Sequence, residues 1–310
     1  MKSINYFLSI IISILFFSSS LIAEEKVKSD EKKDKSSLYS GLKFRSIGPA
    51  LMSGRISDIV IHPENENVWY VTAGSGGVWK TENSGTSWNS IFDGQKSYSI
   101  GCITLDPQNP NVVWVGTGEN VGGRHVAYGD GIYKSEDGGK SWKNMGLKKS
   151  EHISKIIVHP KNNKILWVAS QGPLWSSGGE RGIYKTSDGG KTWVQTLGDS
   201  EWIGATDLLM DPRNPNHLYA ATWQRHRTVA GYMGGGPGTG IYKSTDGGES
   251  WQELKKGLPK SNMGKIGLVL SPQNSDVIYA AIELDRRTGG VYRSDDQGAN
   301  WKKMSDAVAG

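Results

Sequence analysis

Six carboxylates in this 310-residue chain could do chemistry, because they lie in segments that we predict to be loops. Two carboxylates about 5 to 10 Å apart can hydrolyse a glycosidic bond. The spacing of the six along the chain does not say which of them meet, so we assign no catalytic residue. The six are Glu119, Asp130, Glu180, Glu201, Glu283 and Asp285.

A second set of loop residues interleaves basic and aromatic side chains. Guanidinium groups bind anions, and aromatic faces stack on flat ligands and cations. We therefore predict a ligand-binding rim, with a merely solvated rim as the alternative. The predicted ligand contacts are Arg124, His125, Tyr128, Trp175, Arg181, Arg225, His226, Arg227, Tyr232, Arg286 and Arg287.

The sequence predicts neither a metal nor a cofactor. His62 and His159 stand immediately before a turn proline, in the position that Asp or Ser fills elsewhere, so we expect a turn role for both. His125 and His226 lie in separate loops, and two histidines do not make a metal site. The single cysteine, Cys102, excludes CxxC chemistry and suggests a buried thiol in a strand.

Composition indicates an all-β protein that is rich in turns. Glycine accounts for 41 of the 310 residues, roughly twice the usual share of about 7%. The chain has twelve Trp and twelve Tyr but only five Phe, and such large amphipathic side chains favour pleated surfaces. A net charge of +5 is too small to indicate a nucleic-acid partner.

The N-terminus reads as an export signal. Lys2 precedes an apolar run over 6–17, and Ala23 stands before two acidic residues. We predict a cleaved signal peptide over 1–23, with an uncleaved anchor as the alternative, and a charged linker over 24–40. The protein is then exported to the periplasm, the cell surface or the medium, with no membrane span after cleavage.

Three short patterns recur five times in fixed order. The first places an aromatic residue seven positions after a turn proline, at Tyr70, Trp114, Trp167, Tyr219 and Tyr279. The second is Gly, a β-branched residue, an aromatic residue and a cation. The third is an octapeptide such as SEDGGKSW, whose final tryptophans are Trp88, Trp142, Trp193, Trp251 and Trp301.

Each repeat therefore predicts four antiparallel strands, which is a propeller blade. The blades cover approximately 41–93, 94–147, 148–199, 200–258 and 259–310. We expect the octapeptide to be a structural turn, in which an Asp accepts backbone N–H bonds and Trp packs back onto the blade. Calcium ligation is the alternative, but each turn supplies only one or two oxygens. The turn residues are Asn83, Asp137, Asp188, Asp246 and Asp296.

These octapeptides resemble those of the Asp-box (BNR) propellers, which include sialidases, xyloglucan-cleaving glycosidases and the N-terminal domain of sortilin. The resemblance covers 41–304. GLKFRSIGPALMSGRI, VGTGENVGGRHVAYGDGIYKS and ASQGPLWSSGGERGIYKT are most similar to long bacterial exported proteins with a sortilin-type propeller. It implies a binding or scaffolding module for polypeptide or carbohydrate ligands on its loops, with a glycoside hydrolase as the alternative. A purely structural domain is a third possibility.

The resemblance weakens the enzyme interpretation. Xyloglucan-cleaving relatives carry a catalytic Asp three residues before a GGxY-like strand, and Gly74 stands there in this chain. The segment FRSIGP matches the sialidase FRIP signature only in part, so we do not assign Arg45 as a catalytic arginine. After the fifth repeat we find no closing strand, which predicts a fragment of a larger propeller, with a closed five-bladed ring as the alternative. No oligomeric state is predicted.

Overall fold

The computed structural model describes residues 55–198, 200–285 and 288–306. The predicted signal peptide, the linker, Arg286 and Arg287 lie outside these residues. The described part is built from β-strands, turns and loops, and it contains no helix long and apolar enough to cross a membrane.

Five sheets follow one another along the chain, and each has four strands. Blade one contains β1 (Ile56–Ile61), β2 (Trp69–Ala73), β3 (Gly77–Thr81) and β4 (Asn89–Ser90). Blade two contains β5 (Ile100–Asp106), β6 (Asn109–Thr117), β7 (Ile132–Ser135) and β8 (Lys143–Asn144). Blade three contains β9 (Ile153–Val158), β10 (Leu166–Ser170), β11 (Gly182–Thr186) and β12 (Val194–Leu197).

Blade four carries an additional hairpin between its second and third strands. Its strands are β13 (Ile203–Asp211), β14 (Asn214–Gln224), β17 (Ile241–Ser244) and β18 (Gln252–Leu254), and the hairpin is β15 (His226–Arg227) with β16 (Tyr232–Met233). Blade five contains β19 (Met263–Leu270), β20 (Ile278–Leu284), β21 (Gly290–Ser294) and β22 (Lys302–Asp306).

Within each blade the strands pair antiparallel in chain order. The first strands of successive blades contact one another, β1 with β5, β5 with β9, β9 with β13, and β13 with β19. Residues of all five strands line one cavity, which we call the central channel. The predicted all-β propeller of four-stranded blades is therefore confirmed.

The repeated aromatic residue and the repeated cation are cross-strand partners. Tyr70 pairs with Lys80 across β2 and β3, and the four other blades repeat the arrangement. In every blade the cation lies 5.4 to 5.8 Å from the ring centroid. A cation over an aromatic face contributes about 0.5 to 1 kcal/mol at an exposed site. The cation of the second pattern therefore has a packing role.

The octapeptides form the predicted turns. In blade two, Oδ1 of Asp137 accepts the hydroxyl of Ser135 at 2.7 Å and the backbone N–H of Ser141 at 2.8 Å. Its Oδ2 accepts the hydroxyl of Ser141 at 2.5 Å. Gly139, two positions after Asp137, has a φ of +92°, a backbone conformation that residues with a side chain rarely adopt. Asp188, Asp246 and Asp296 repeat these bonds.

The octapeptide tryptophans reach beyond their own turns. The indole N–H of Trp142 donates to the carbonyl of Gly139 in its own octapeptide at 3.1 Å, but three of the five tryptophans also bond the preceding blade. The indole N–H of Trp142 donates to the carbonyl of Ile91 in blade one at 2.7 Å, and that of Trp193 donates to Met145 in blade two at 2.8 Å. Trp251 donates to Thr196 in blade three. The acceptors lie at or just after the outermost strands, where a sheet edge leaves polar groups free. The tryptophans therefore join neighbouring blades.

The two end blades each present an apolar face that no other described residue covers. Ile59 of β1 is 52% exposed, whereas its counterparts in blades two to five, such as Ile103 and Ile156, are buried. On the opposite side, Val269 of β19 is 54% exposed. In the interior blades, the residue equivalent to Ile59 packs against the preceding blade, and the residue equivalent to Val269 packs against the following blade.

The hydrogen bonds around Asp137 predict an acid-sensitive contribution to stability. They hold the pKa of this carboxyl well below its usual range, so its contribution is complete above about pH 4 and is lost as the pH falls from there. We expect Asp137→Asn to lower the urea midpoint at pH 7 and to flatten its change between pH 4 and 2.

The exposed Glu64→Gln variant is the control, and tryptophan fluorescence reports unfolding. An Asp137→Asn protein whose midpoint falls with acid as steeply as that of the wild type would contradict this role.

Candidate functional site

The loops between second and third strands and the links between blades meet on one face of the propeller, which we call the loop face. Backbone hydrogen bonds join them, from Gly118 to Ser99 at 2.7 Å and from Gln171 to His152 at 2.8 Å. The segment Glu119–Gly122, which we call the strap, leaves β6 through Gly118, whose φ is +87°. The strap lies at the mouth of the central channel.

Each of the four carbonyls of the strap contacts a basic side chain from another blade. The carbonyls of Glu119 and Asn120 contact Nδ1 of His152 at 3.0 Å and Nζ of Lys265 at 2.6 Å. The carbonyls of Val121 and Gly122 accept bonds from Arg225 at 2.9 Å and Arg227 at 3.1 Å. Blades three, five and four thus hold a segment of blade two.

Beneath the strap the channel forms a cavity of about 430 Å³. Asp58, Lys155, Asp207 and Gly267 line it, one from the first strand of each of four blades. Oδ2 of Asp58 accepts the N–H of Ile103 at 3.1 Å, and Oδ2 of Asp207 accepts that of Leu268 at 2.7 Å, each in the next blade. The two aspartates therefore join successive first strands.

Sequence reasoning missed these channel residues, although a signal was present. Each lies five positions before the turn proline of its repeat. In blade two that position holds Cys102, which is buried as predicted, and burial raises the pKa of its thiol. We predicted functional residues in the loops because their composition varies between repeats, whereas the pattern of the first strands is typical of a buried core.

Glu119 is the one predicted carboxylate that lines the channel cavity. Its side chain is buried and receives two bonds from Arg55, one of them from Nη2 at 2.6 Å. The space beside Gly74 is filled by this carboxylate, so a side chain at position 74 would displace it. The carboxylate of Glu119, from blade two, therefore occupies the space that a side chain at position 74 of blade one would need.

The other predicted carboxylates lie elsewhere. Asp130 accepts the hydroxyl of Tyr133 at 2.7 Å, and Glu180 accepts the backbone N–H of Lys149 at 2.7 Å. Glu283 and Asp285 line a cavity of about 950 Å³ beside the open face of blade five, and Glu201 is exposed. The structure brings none of these five into the channel cavity with Glu119.

Two of the predicted ligand contacts have a different role. Arg181 and Arg225 are buried, and burial lowers their pKa values to about 10 and about 9. Arg181 donates to four carbonyls of its own loop, and Arg225 donates to Val121 and Gly172. Because their guanidinium groups have almost no exposed surface, we correct both from ligand contacts to loop supports.

Exposed aromatic rings stand on the loop face around the strap. Tyr128 is 71% exposed and Trp175 is 44% exposed. Tyr232 is equally exposed and lies under the guanidinium of Arg227, 4.2 Å from its centroid. Tyr98 adds a further exposed ring in the link between blades one and two. Such rings offer broad apolar surface with a polar tip.

The remaining predicted contacts are accessible in part. Arg124 and His125 are exposed, and Arg124 donates to the carbonyl of Val229 at 3.3 Å. The ring of His226 packs against that of Trp202 at a tilt of 45°, with centroids 4.1 Å apart. Among the described residues, no group of three or more His, Cys, Asp or Glu side chains is placed to hold a metal ion.

The buried His152 predicts acid sensitivity at the strap. Burial, with the charge of Arg225, lowers its pKa to about 3, whereas unfolded His titrates near about 6.5. Below about pH 6.5 the unfolded chain therefore binds more protons, and stability falls by up to about 1.4 kcal/mol per pH unit.

We expect His152→Asn, whose amide can still donate to Glu119, to remove this loss between pH 6.5 and 5. The measurement is the urea midpoint over that range, with the exposed His125→Asn as control. An unchanged pH slope in His152→Asn would refute the assignment.

Comparisons with known proteins point to two related groups. The family model Sortilin-Vps10, described as sortilin, neurotensin receptor 3, matches residues 130–234. A xyloglucanase of Hypocrea jecorina is 23% identical over 283 residues, covering 81% of this chain and 32% of the relative. An oligoxyloglucan-reducing end-specific xyloglucanase of Emericella nidulans is 24% identical over 225 residues, covering 66% of this chain and 25% of the relative.

Among solved structures, the GH74 enzyme of Niastella koreensis superposes with a TM-score of 0.58 at 20% identity, covering 79% of this chain and 37% of that one. At this identity the likeness concerns the fold. The chain spans about a quarter to a third of the length of the two curated relatives. The predicted similarity to sortilin-type and xyloglucan-cleaving propellers is thereby supported.

Proposed function

We propose that the loop face binds a polysaccharide of the xyloglucan type and that the chain is part of a glycoside hydrolase. The sequence interpretation preferred a binding module and kept the hydrolase as its alternative. The comparisons favour that alternative, because the xyloglucanase relatives align with two thirds to four fifths of the chain. The sortilin model aligns with about a third of it.

The observation that carries the proposal is the set of exposed rings around the strap. Tyr128, Trp175 and Tyr232 come from loops of blades two, three and four. A pyranose ring has a face of C–H groups that an aromatic ring can cover, while its hydroxyls need polar partners. Rings spaced over three blades suit an extended chain of sugars better than a single sugar.

Of the six predicted carboxylates, Glu119 is the one that lines the channel cavity, where it is buried and paired with Arg55, so it could act on a sugar only where that pair opens. Arg55 and the strap fix its orientation at the mouth of the channel cavity. A carboxylate there would stabilise the positive charge that develops on a sugar as its glycosidic bond breaks. Hydrolysis needs a second carboxylate. Asp58 and Asp207 share the channel cavity, but their oxygens accept backbone N–H groups.

A second candidate function, binding of polypeptides, is favoured by the sortilin match over 130–234. That range contains Trp175 and Tyr232, so both candidates use the same loops. The two differ in the ligand that these rings cover, and one experiment separates them.

We expect the protein to bind xyloglucan oligosaccharides in calorimetric titration, and Trp175→Ala to weaken binding about tenfold, a change of about 1.4 kcal/mol. Removal of one stacking ring accounts for a loss of that size. Val194→Ala, exposed on the outer strand of the same blade, is the control and should bind as the wild type does.

Mass spectrometry of the incubated oligosaccharides tests cleavage, which Glu119→Gln should abolish. Retention of peptides in place of xyloglucan, weakened by Trp175→Ala, would favour the polypeptide-binding function instead.

A further inference from the structure

We propose that the strap is a positioning element for the ligand-binding face, and that Arg225 and Arg227 are its main positioning residues. This inference rests on the proposed function, because it concerns how the same loop face is held ready for a sugar chain. Four successive carbonyls, each held by a side chain of another blade, are its starting point.

These contacts are costly to make, which argues against a merely solvated loop. A surface carbonyl can bond water at no expense, whereas burial of a cation without a carboxylate partner costs stability. Arg225 is fully buried, donates to two carbonyls, and leaves its Nε without a partner. Lys265 is half-buried, and burial lowers its pKa to about 8.

The geometry shows what the strap positions. Its first residue is Glu119, whose carboxylate meets Arg55 at the channel mouth. Its second is Asn120, whose side-chain oxygen receives the amide of Gln171 from blade three. Contacts from other blades therefore fix the orientation of both polar side chains. A recognition site needs such rigid support.

Arg227 links the strap to the aromatic surface. Its Nε donates to the carbonyl of Gly122, and its guanidinium lies over Tyr232. The ring of Tyr232 in turn fills the space beside Gly122, where a side chain would collide with its hydroxyl. A change in the strap would therefore shift one of the rings proposed to stack on sugars.

The test compares Arg225→Met, Arg225→Lys and Arg227→Gln with the exposed Lys161→Gln as control. Hydrogen exchange of the amides of 119–123 reports the strap, and titration with a xyloglucan oligosaccharide reports recognition. We expect exchange to rise and affinity to fall about tenfold in Arg225→Met and Arg227→Gln. Arg225→Lys, which keeps a donor for one carbonyl, should recover part of both.

Arg227 is only partly buried, so its variant keeps the test open if Arg225→Met does not fold. Faster exchange with unchanged xyloglucan affinity would overturn the positioning role and leave the proposed function standing. If the wild type binds no oligosaccharide, the proposed function fails. The exchange measurement still tests the strap in that case. Unchanged exchange in the variants would overturn the dependence of the strap on these arginines, and faster exchange would support it.

Discussion

Face-to-face packing of blades is the constraint on which the rest of this structure depends. A four-stranded sheet with two apolar faces cannot bury both by itself, so each blade needs a neighbour on either side. The exposed Ile59 and Val269 of the end blades show what the interior blades hide. Directional bonds fix the packing, because tryptophans such as Trp142 donate to the preceding blade.

The repeated motifs form the scaffold of the molecule, and the loops form its candidate site. Octapeptide turns, cross-strand cations and indole bonds recur in nearly every blade, so they fix the scaffold without distinguishing one blade from another. The loops of the loop face do not repeat, and they carry Glu119, Trp175 and Tyr232. Because the strap bonds to three other blades, the arrangement of the site depends directly on how the blades pack.

The sequence was sufficient for those features whose physical cause is local. A proline turn and an Asp/Gly turn bound each strand, so the blades and the bonds of Asp137 could be predicted. His62 and His159 also have their predicted turn role, since Nδ1 of each accepts the backbone N–H two residues later. The direction of Trp142, the burial of Arg225 and the channel position of Asp207 depend on neighbouring blades, which no local pattern encodes.

The most direct test of the central claim is to locate a xyloglucan oligosaccharide on the protein by hydrogen exchange in its presence and absence. The account predicts protection in the loop-face segments 96–99, 119–128, 171–181 and 223–235, and none in the octapeptide turns on the opposite face. Protection confined to those turns, or the absence of any protection at saturating oligosaccharide, would contradict it.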